Sequence, residues 1–176
     1  MKFLSAVFLA TLLCAGLANA SITPVLMSAP SISGSDFLWD YEISVDDLEA
    51  LNAGLPGGGT FFTIDNFVGY VGGSIMAPMN WTPTVSGGNL TFTYTGPTTT
   101  PSGEISGFTA LSTDSAINAS GVFAYQAENL QTGGADFGGG PIDVPMSSTP
   151  EPASVGLLGG ALLGLAVLTR RKFARQ

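Results

Sequence analysis

Two stretches of the chain alternate strictly between apolar and polar positions. From Phe37 to Val45, the residues Phe37, Trp39, Tyr41, Ile43 and Val45 are apolar or aromatic, with Asp40, Glu42 and Ser44 set between them. Successive side chains of a strand point to opposite faces, so this period of two predicts a strand buried on one side. Leu90, Phe92 and Tyr94, interleaved with Thr91, Thr93 and Thr95, predict a second. Weaker strand patterns cover Phe61 to Ile64, Phe67 to Val71, Gly107 to Ser112 and Val122 to Ala127. Between them lie Pro56-Gly57-Gly58-Gly59, Ser86-Gly87-Gly88-Asn89, Gly96-Pro97 and Gly133-Gly134, all residues that turn a chain. Only Val45 to Ala53 has room for a helical turn, with Ser44 or Asp46 as its cap. Many short strands punctuated by turns predict an all-β fold, an antiparallel β-sandwich of immunoglobulin-like general architecture.

The two ends follow a different pattern. Lys2 is followed by an apolar run from Phe3 to Leu17 and then by Ala18-Asn19-Ala20. This is the three-part layout of a secretory signal peptide over 1–20, with Ala18 and Ala20 as the small residues that signal peptidase reads. At the other end, 153–168 is uncharged and is followed by Thr169 and then by Arg170, Arg171, Lys172 and Arg175. As a helix, 153–169 would span about 25 Å at about 1.5 Å per residue, against about 30 Å of hydrocarbon. Snorkelling of the basic side chains and a thin bilayer close that gap. The basic cluster at 170–176 predicts a cytoplasmic tail and a body on the opposite side of the membrane, the side to which the N-terminal signal would send it. Gly156, Gly160 and Gly164 recur every four residues and would form one small-residue face on such a helix.

Pro150-Glu151-Pro152 stands directly before this apolar run. Proline fixes φ and pushes the preceding residue to extended conformations, so Thr149 and Glu151 should be extended. Glu151 then sits at the positive end of the following helix. The segment 147–152 thus reads as a stiff linker, of the extended kind that proteases bind. Motif, apolar span, basic tail and terminal position together closely resemble the PEP-CTERM sorting signal of exported bacterial proteins. The resemblance runs from Thr149 to Arg175 and implies recognition by an exosortase, a membrane-embedded enzyme with a cysteine nucleophile. Gly59 to Gly69, Trp81, Asn89 to Gly96 and Gly107 to Thr113 also resemble the β-rich bodies that often precede such tails. That second likeness implies a β fold and carries no active site.

Charge sharpens the picture of the body, 21–146. All five Lys and Arg lie at the chain ends and His is absent, while twelve acids fall between Asp36 and Asp143, so 21–150 carries a formal charge of −12. Such a body repels phosphate, which excludes nucleic acid as a partner. Cys14 is the sole cysteine and falls within the signal segment, leaving no disulfide or thiol chemistry afterwards. Without His, Cys or Lys there is no Ser-His or Cys-His pair and no Schiff-base lysine. Carboxylate catalysis would need two of Asp40, Glu42, Asp65, Glu104 and Glu128 to meet in space. Asp46-Asp47 with Glu49 forms a local acidic group that offers oxygen ligands to calcium, although no complete calcium-loop motif is present. Trp39, Tyr41 and Tyr94 fit the apolar faces of their strands, whereas Trp81, in Pro78-Met79-Asn80-Trp81-Thr82-Pro83, reads as a loop aromatic able to stack on a sugar.

The expectation is therefore an exported, non-enzymatic protein. It would be processed by signal peptidase and an exosortase-type membrane protease and destined for the cell surface or extracellular matrix. There it would serve a structural or adhesive role in an exopolysaccharide layer, with no resident cofactor. Two alternatives are a single-pass membrane-anchored periplasmic binding module and a secreted hydrolase dependent on carboxylates such as Glu104 and Glu128.

Overall fold

The strict alternation around Trp39 and Phe92 is realised as strands whose apolar faces meet in one core. The computed structural model describes residues 21–147 apart from Ser102. Ten strands follow one another: β1 (Ile22–Leu26), β2 (Ser31–Ser33), β3 (Asp36–Val45), β4 (Glu49–Ala50), β5 (Phe61–Ile64), β6 (Trp81–Ser86), β7 (Asn89–Tyr94), β8 (Gly103–Ser112), β9 (Ile117–Asn129) and β10 (Gly134–Pro145). All the pairings between them are antiparallel. In the first sheet β3 is central, pairing with β1 and β2 and with β8. The second runs β10-β9-β5-β7-β6, with β4 also pairing with β9. Two antiparallel sheets of this kind are those of a β-sandwich.

Trp39, Tyr41, Ile43 and Phe108 from the first sheet and Phe62, Ile64, Leu90 and Phe92 from the second are fully buried in one cluster. Phe62 lies at its centre, stacked on Phe92 at 4.9 Å and edge-on to Phe108 at 5.0 Å and Trp81 at 5.8 Å. Buried polar tips find backbone partners, as expected for Trp and Tyr in a core. Trp39 Nε1 donates to the Asp114 carbonyl at 3.2 Å, Tyr41 Oη to that of Asp143 at 3.0 Å, and Tyr94 Oη to that of Pro97 at 2.8 Å.

The turns follow their glycines. β6 and β7 are joined through Gly87 and Gly88, with φ of 60° and 84°, the two successive left-handed residues that a tight hairpin requires. The register of β3 against β8 slips between Tyr41 and Glu42. The unpaired residue opposite is Gly107 at φ 93°, so the bulge falls where no Cβ opposes it.

Three expectations are corrected. Phe67–Val71 is not a strand: Asn66 and Gly69 both take positive φ, which breaks the extended run, and only the isolated bridge Tyr70↔Ser112 remains. Phe67 nevertheless packs edge-on against Trp39 at 6.0 Å. The segment after Val45 forms no helix. Asp46 caps a single turn, its Oδ1 accepting from Leu48 N at 3.0 Å, and the chain then pairs with β9 as β4. Trp81 is no loop aromatic either. It opens β6, opposite Tyr94, and is only 7% exposed among Phe62, Tyr94 and Phe108. Asn80, at φ 67°, turns the chain so that Trp81 points inward.

The chain divides into two compact units, Met1–Met146 and Ser147–Gln176. Among the described residues no helix is long and apolar enough to cross a membrane.

Candidate functional site

Within the body, the unusual chemistry gathers around Glu49. The Asp46 turn and the pairing of Glu49 with Asn129 and Ala50 with Glu128 set β4 against the end of β9. On β10, the next strand across, Asp136 pairs with Ala127, whose small side chain is fully buried. The Glu49 carboxyl is wholly inaccessible to solvent, and no protein donor reaches either of its oxygens. Burial, together with the neighbouring Asp136, raises its pKa from 4.5 to about 7; Asp46 and Glu128 add to the effect. An uncompensated buried carboxylate is costly, so the group keeps its proton. Burial also raises the pKa of Tyr125, with Asp136, Glu49 and Asp46 adding to the effect.

Asp136 and Tyr125 also line a groove of about 470 Å³, together with Ser21–Thr23, Phe123 and the segment 137–139. Its shape depends on glycine. Gly138 pairs with Tyr125 and Gly140 with Phe123. A Cβ at Gly138 would lie 2.5 Å from the Tyr125 ring, and one at Gly140 would lie 3.1 Å from that of Phe123. The two rings thus lie over bare backbone, an arrangement in which cross-strand aromatics cover glycine.

The acids singled out from the sequence are dispersed. Asp40, Glu42 and Glu104 belong to the first sheet, where Glu42 and Glu104 pair with Ser106 and Ser44. Asp65 lies beside the middle of β9, its N donating to the Val122 carbonyl, whereas Glu128 lies near the end of β9, its Oε2 accepting from Asn52 Nδ2 at 2.8 Å. Glu104 and Glu128 are therefore on different sheets. Of the acidic group near β4, Asp46 and Asp47 are exposed while Glu49 is buried. Among the described residues no three carboxylates are arranged to hold a metal ion.

Two features escaped the sequence pattern. The Glu49–Asp136 pair joins residues far apart in the chain. Gln126, on the outward side of β9, is 2% exposed because the loop 51–59 folds over it. Its Nε2 donates to the carbonyls of Pro56 at 2.9 Å and Gly59 at 3.0 Å. An uncharged amide within an alternating strand was the only sequence signal for that clamp.

The signal segment with Ala18 and Ala20, the motif Pro150-Glu151-Pro152, the glycines Gly156, Gly160 and Gly164, and Arg170, Arg171, Lys172 and Arg175 lie outside the described residues. What is described ends just before the motif: β10 closes at Pro145. The chain is thus an all-β body followed by a short separate unit. That unit carries the PEP-CTERM protein-sorting motif, whose family model matches residues 148–172. The match takes in Pro150, Glu151 and Pro152 and ends at Lys172, within the basic cluster. The motif marks the chain as an exported protein targeted by an exosortase. No curated protein matches the chain.

Proposed function

We propose that this protein is a non-enzymatic component of the cell surface or extracellular matrix. On this reading it crosses the inner membrane on its signal peptide, is held there by its C-terminal segment and is released from it by exosortase processing. It then serves a structural or adhesive role in an exopolysaccharide layer. The sorting motif at 148–172, starting three residues after the last strand of the body, is the observation that carries this reading. The body supports it by its chemistry: residues 21–147 contain no His, Cys, Lys or Arg, which removes the usual nucleophile–base pairs.

Replacing Pro150, Glu151 and Pro152 together by alanine in the native host tests the reading. Membrane, surface and medium fractions are then compared for the variant and the natural protein. The proposal expects the natural protein in the surface or medium and the variant retained at the membrane. Equal distribution of the two would contradict it.

A further inference from the structure

Within an acidic body, β5, β6 and β7 contain no charged residue. Alternation places Asp40, Glu42 and Glu104 on the outer face of the first sheet, opposite the buried Trp39, Tyr41 and Ile43. On the second sheet the residues alternating with buried Phe62, Ile64, Leu90 and Phe92 are Phe61 and Thr63 on β5 and Thr91 and Thr93 on β7. β6 adds exposed Thr82 and Thr84. Register aligns these residues in rows: Thr82 pairs with Thr93 and Thr93 with Phe61, while Thr84 pairs with Thr91 and Thr91 with Thr63. The Thr63 and Thr91 hydroxyls are 2.9 Å apart and hydrogen-bonded. Asp65, next along the chain from β5, stands at the margin of this face.

Strand propensity favours threonine on an exposed face, but it does not by itself exclude every acid from three adjacent strands of a body that carries twelve. The grid has a repeat of about 6.6–6.8 Å along each strand and about 4.7–4.9 Å between strands. Each threonine has a stiff χ1 and presents a donor, acceptors and a methyl group. Hydroxyls held in this way lose little freedom on binding.

We propose that the outer face of β5, β7 and β6 binds an extended, uncharged polysaccharide. Charge selects this occupant. A body of formal charge −12 over 21–150 repels an anionic chain, and a cationic one would be drawn to the acids of the other sheet. A neutral glycan meets hydroxyl partners for its own hydroxyls, methyl groups for its C–H surfaces, and the half-buried Phe61 ring at one side. The inference rests on the matrix role proposed above and names the surface that performs it.

The test uses the protein as recovered from its host's surface or medium. The host exopolysaccharide is separated by anion exchange into neutral and anionic fractions, and each is immobilised. The natural protein should be retained on the neutral fraction. The triple variant Thr82→Val, Thr84→Val, Thr91→Val should bind at least tenfold more weakly, and Glu42→Gln with Glu104→Gln should bind as the natural protein does. If the triple variant melts early, the single Thr84→Glu, at an exposed position, replaces it with the same expectation. Undiminished binding by the threonine variants, or retention on the anionic fraction alone, would overturn the proposed face while leaving the matrix role standing. Absence of binding to either fraction by protein found in the surface layer would overturn it too. Protein confined uncut to the membrane would instead contradict the underlying role.

Discussion

Glu49 holds its proton to about pH 7 because it is buried beside Asp136 with no cation in reach. Its pKa is raised in the folded state, so its neutral form stabilises the fold fully below the ordinary carboxyl value of 4.5. That contribution is lost as pH rises toward and through about 7. No histidine exists in the chain and the only cysteine is Cys14, so the usual groups that titrate between pH 5 and 8 are missing from the body. The melting temperature should therefore fall by roughly 3 °C or more between pH 5 and pH 8, and Glu49→Gln should flatten that slope. A pH-independent melting temperature in the natural protein would refute the buried proton. Gly138 makes a second residue-scale case. Its replacement by alanine drives a Cβ into the Tyr125 ring and should cost about 1–3 kcal/mol, the range for overpacking, as read from denaturant melts. None of this was legible in the sequence. Glu49 and Asp136 meet only through the pairing of β4 and β10 with β9, and in the sequence Glu49 reads as one of a local acidic group with Asp46 and Asp47. Trp81 misled for a related reason: its prolines and Asn80 suggest a loop, yet the positive φ at Asn80 delivers the ring into the core.

Strands announce themselves when one face is buried and the other is wet. β3 and β7 carry that contrast in full, which is why the alternation around Trp39 and Phe92 located them, whereas β5, with Phe61 on its outer side, gave a weaker pattern. β10 does not. Its inward positions include Asp136, Gly138 and Gly140, so the apolar signal lies on β9 in Phe123 and Tyr125 instead. β1 was hidden by Pro24, which an edge strand tolerates and a central one does not. Gln126 shows the same dependence on tertiary context, since its burial comes from a loop seventy residues away crossing the outer face of β9. Gln126→Ala would leave the carbonyls of Pro56 and Gly59 without their donor. It should cost about 1–3 kcal/mol and speed hydrogen exchange across 51–59 before it does so in β5 or β7. Uniform exchange behaviour would show that the loop is held by other means.

The whole molecule separates address from body. A sorting motif at 148–172 follows an all-β fold that contains no basic side chain. Such a body forms no Lys, Arg or His ion pair, and its twelve acids repel one another. Screening should stabilise it: raising salt from about 0.01 M to 0.15 M shortens the Debye length from about 30 Å to about 8 Å. The melting temperature should rise accordingly, and a fall would contradict the charge argument. The address was legible because it is written as a contiguous string, Pro150-Glu151-Pro152, then an apolar run, then Arg170-Arg171-Lys172. The uncharged face of β5, β7 and β6 was not, because it depends on which strands share a sheet.

The most direct measurement is the intact mass of the protein in medium, surface and membrane fractions of its host. The absence of Lys and Arg between 3 and 169 leaves trypsin no site there, so the body survives whole during recovery and a cut near Pro150 stands out. Export with exosortase processing predicts a surface or medium form that begins at Ser21 and has lost the apolar run and the basic tail. A form running from Ser21 to Gln176 and found only in the membrane would contradict it and make the C-terminal segment a permanent anchor.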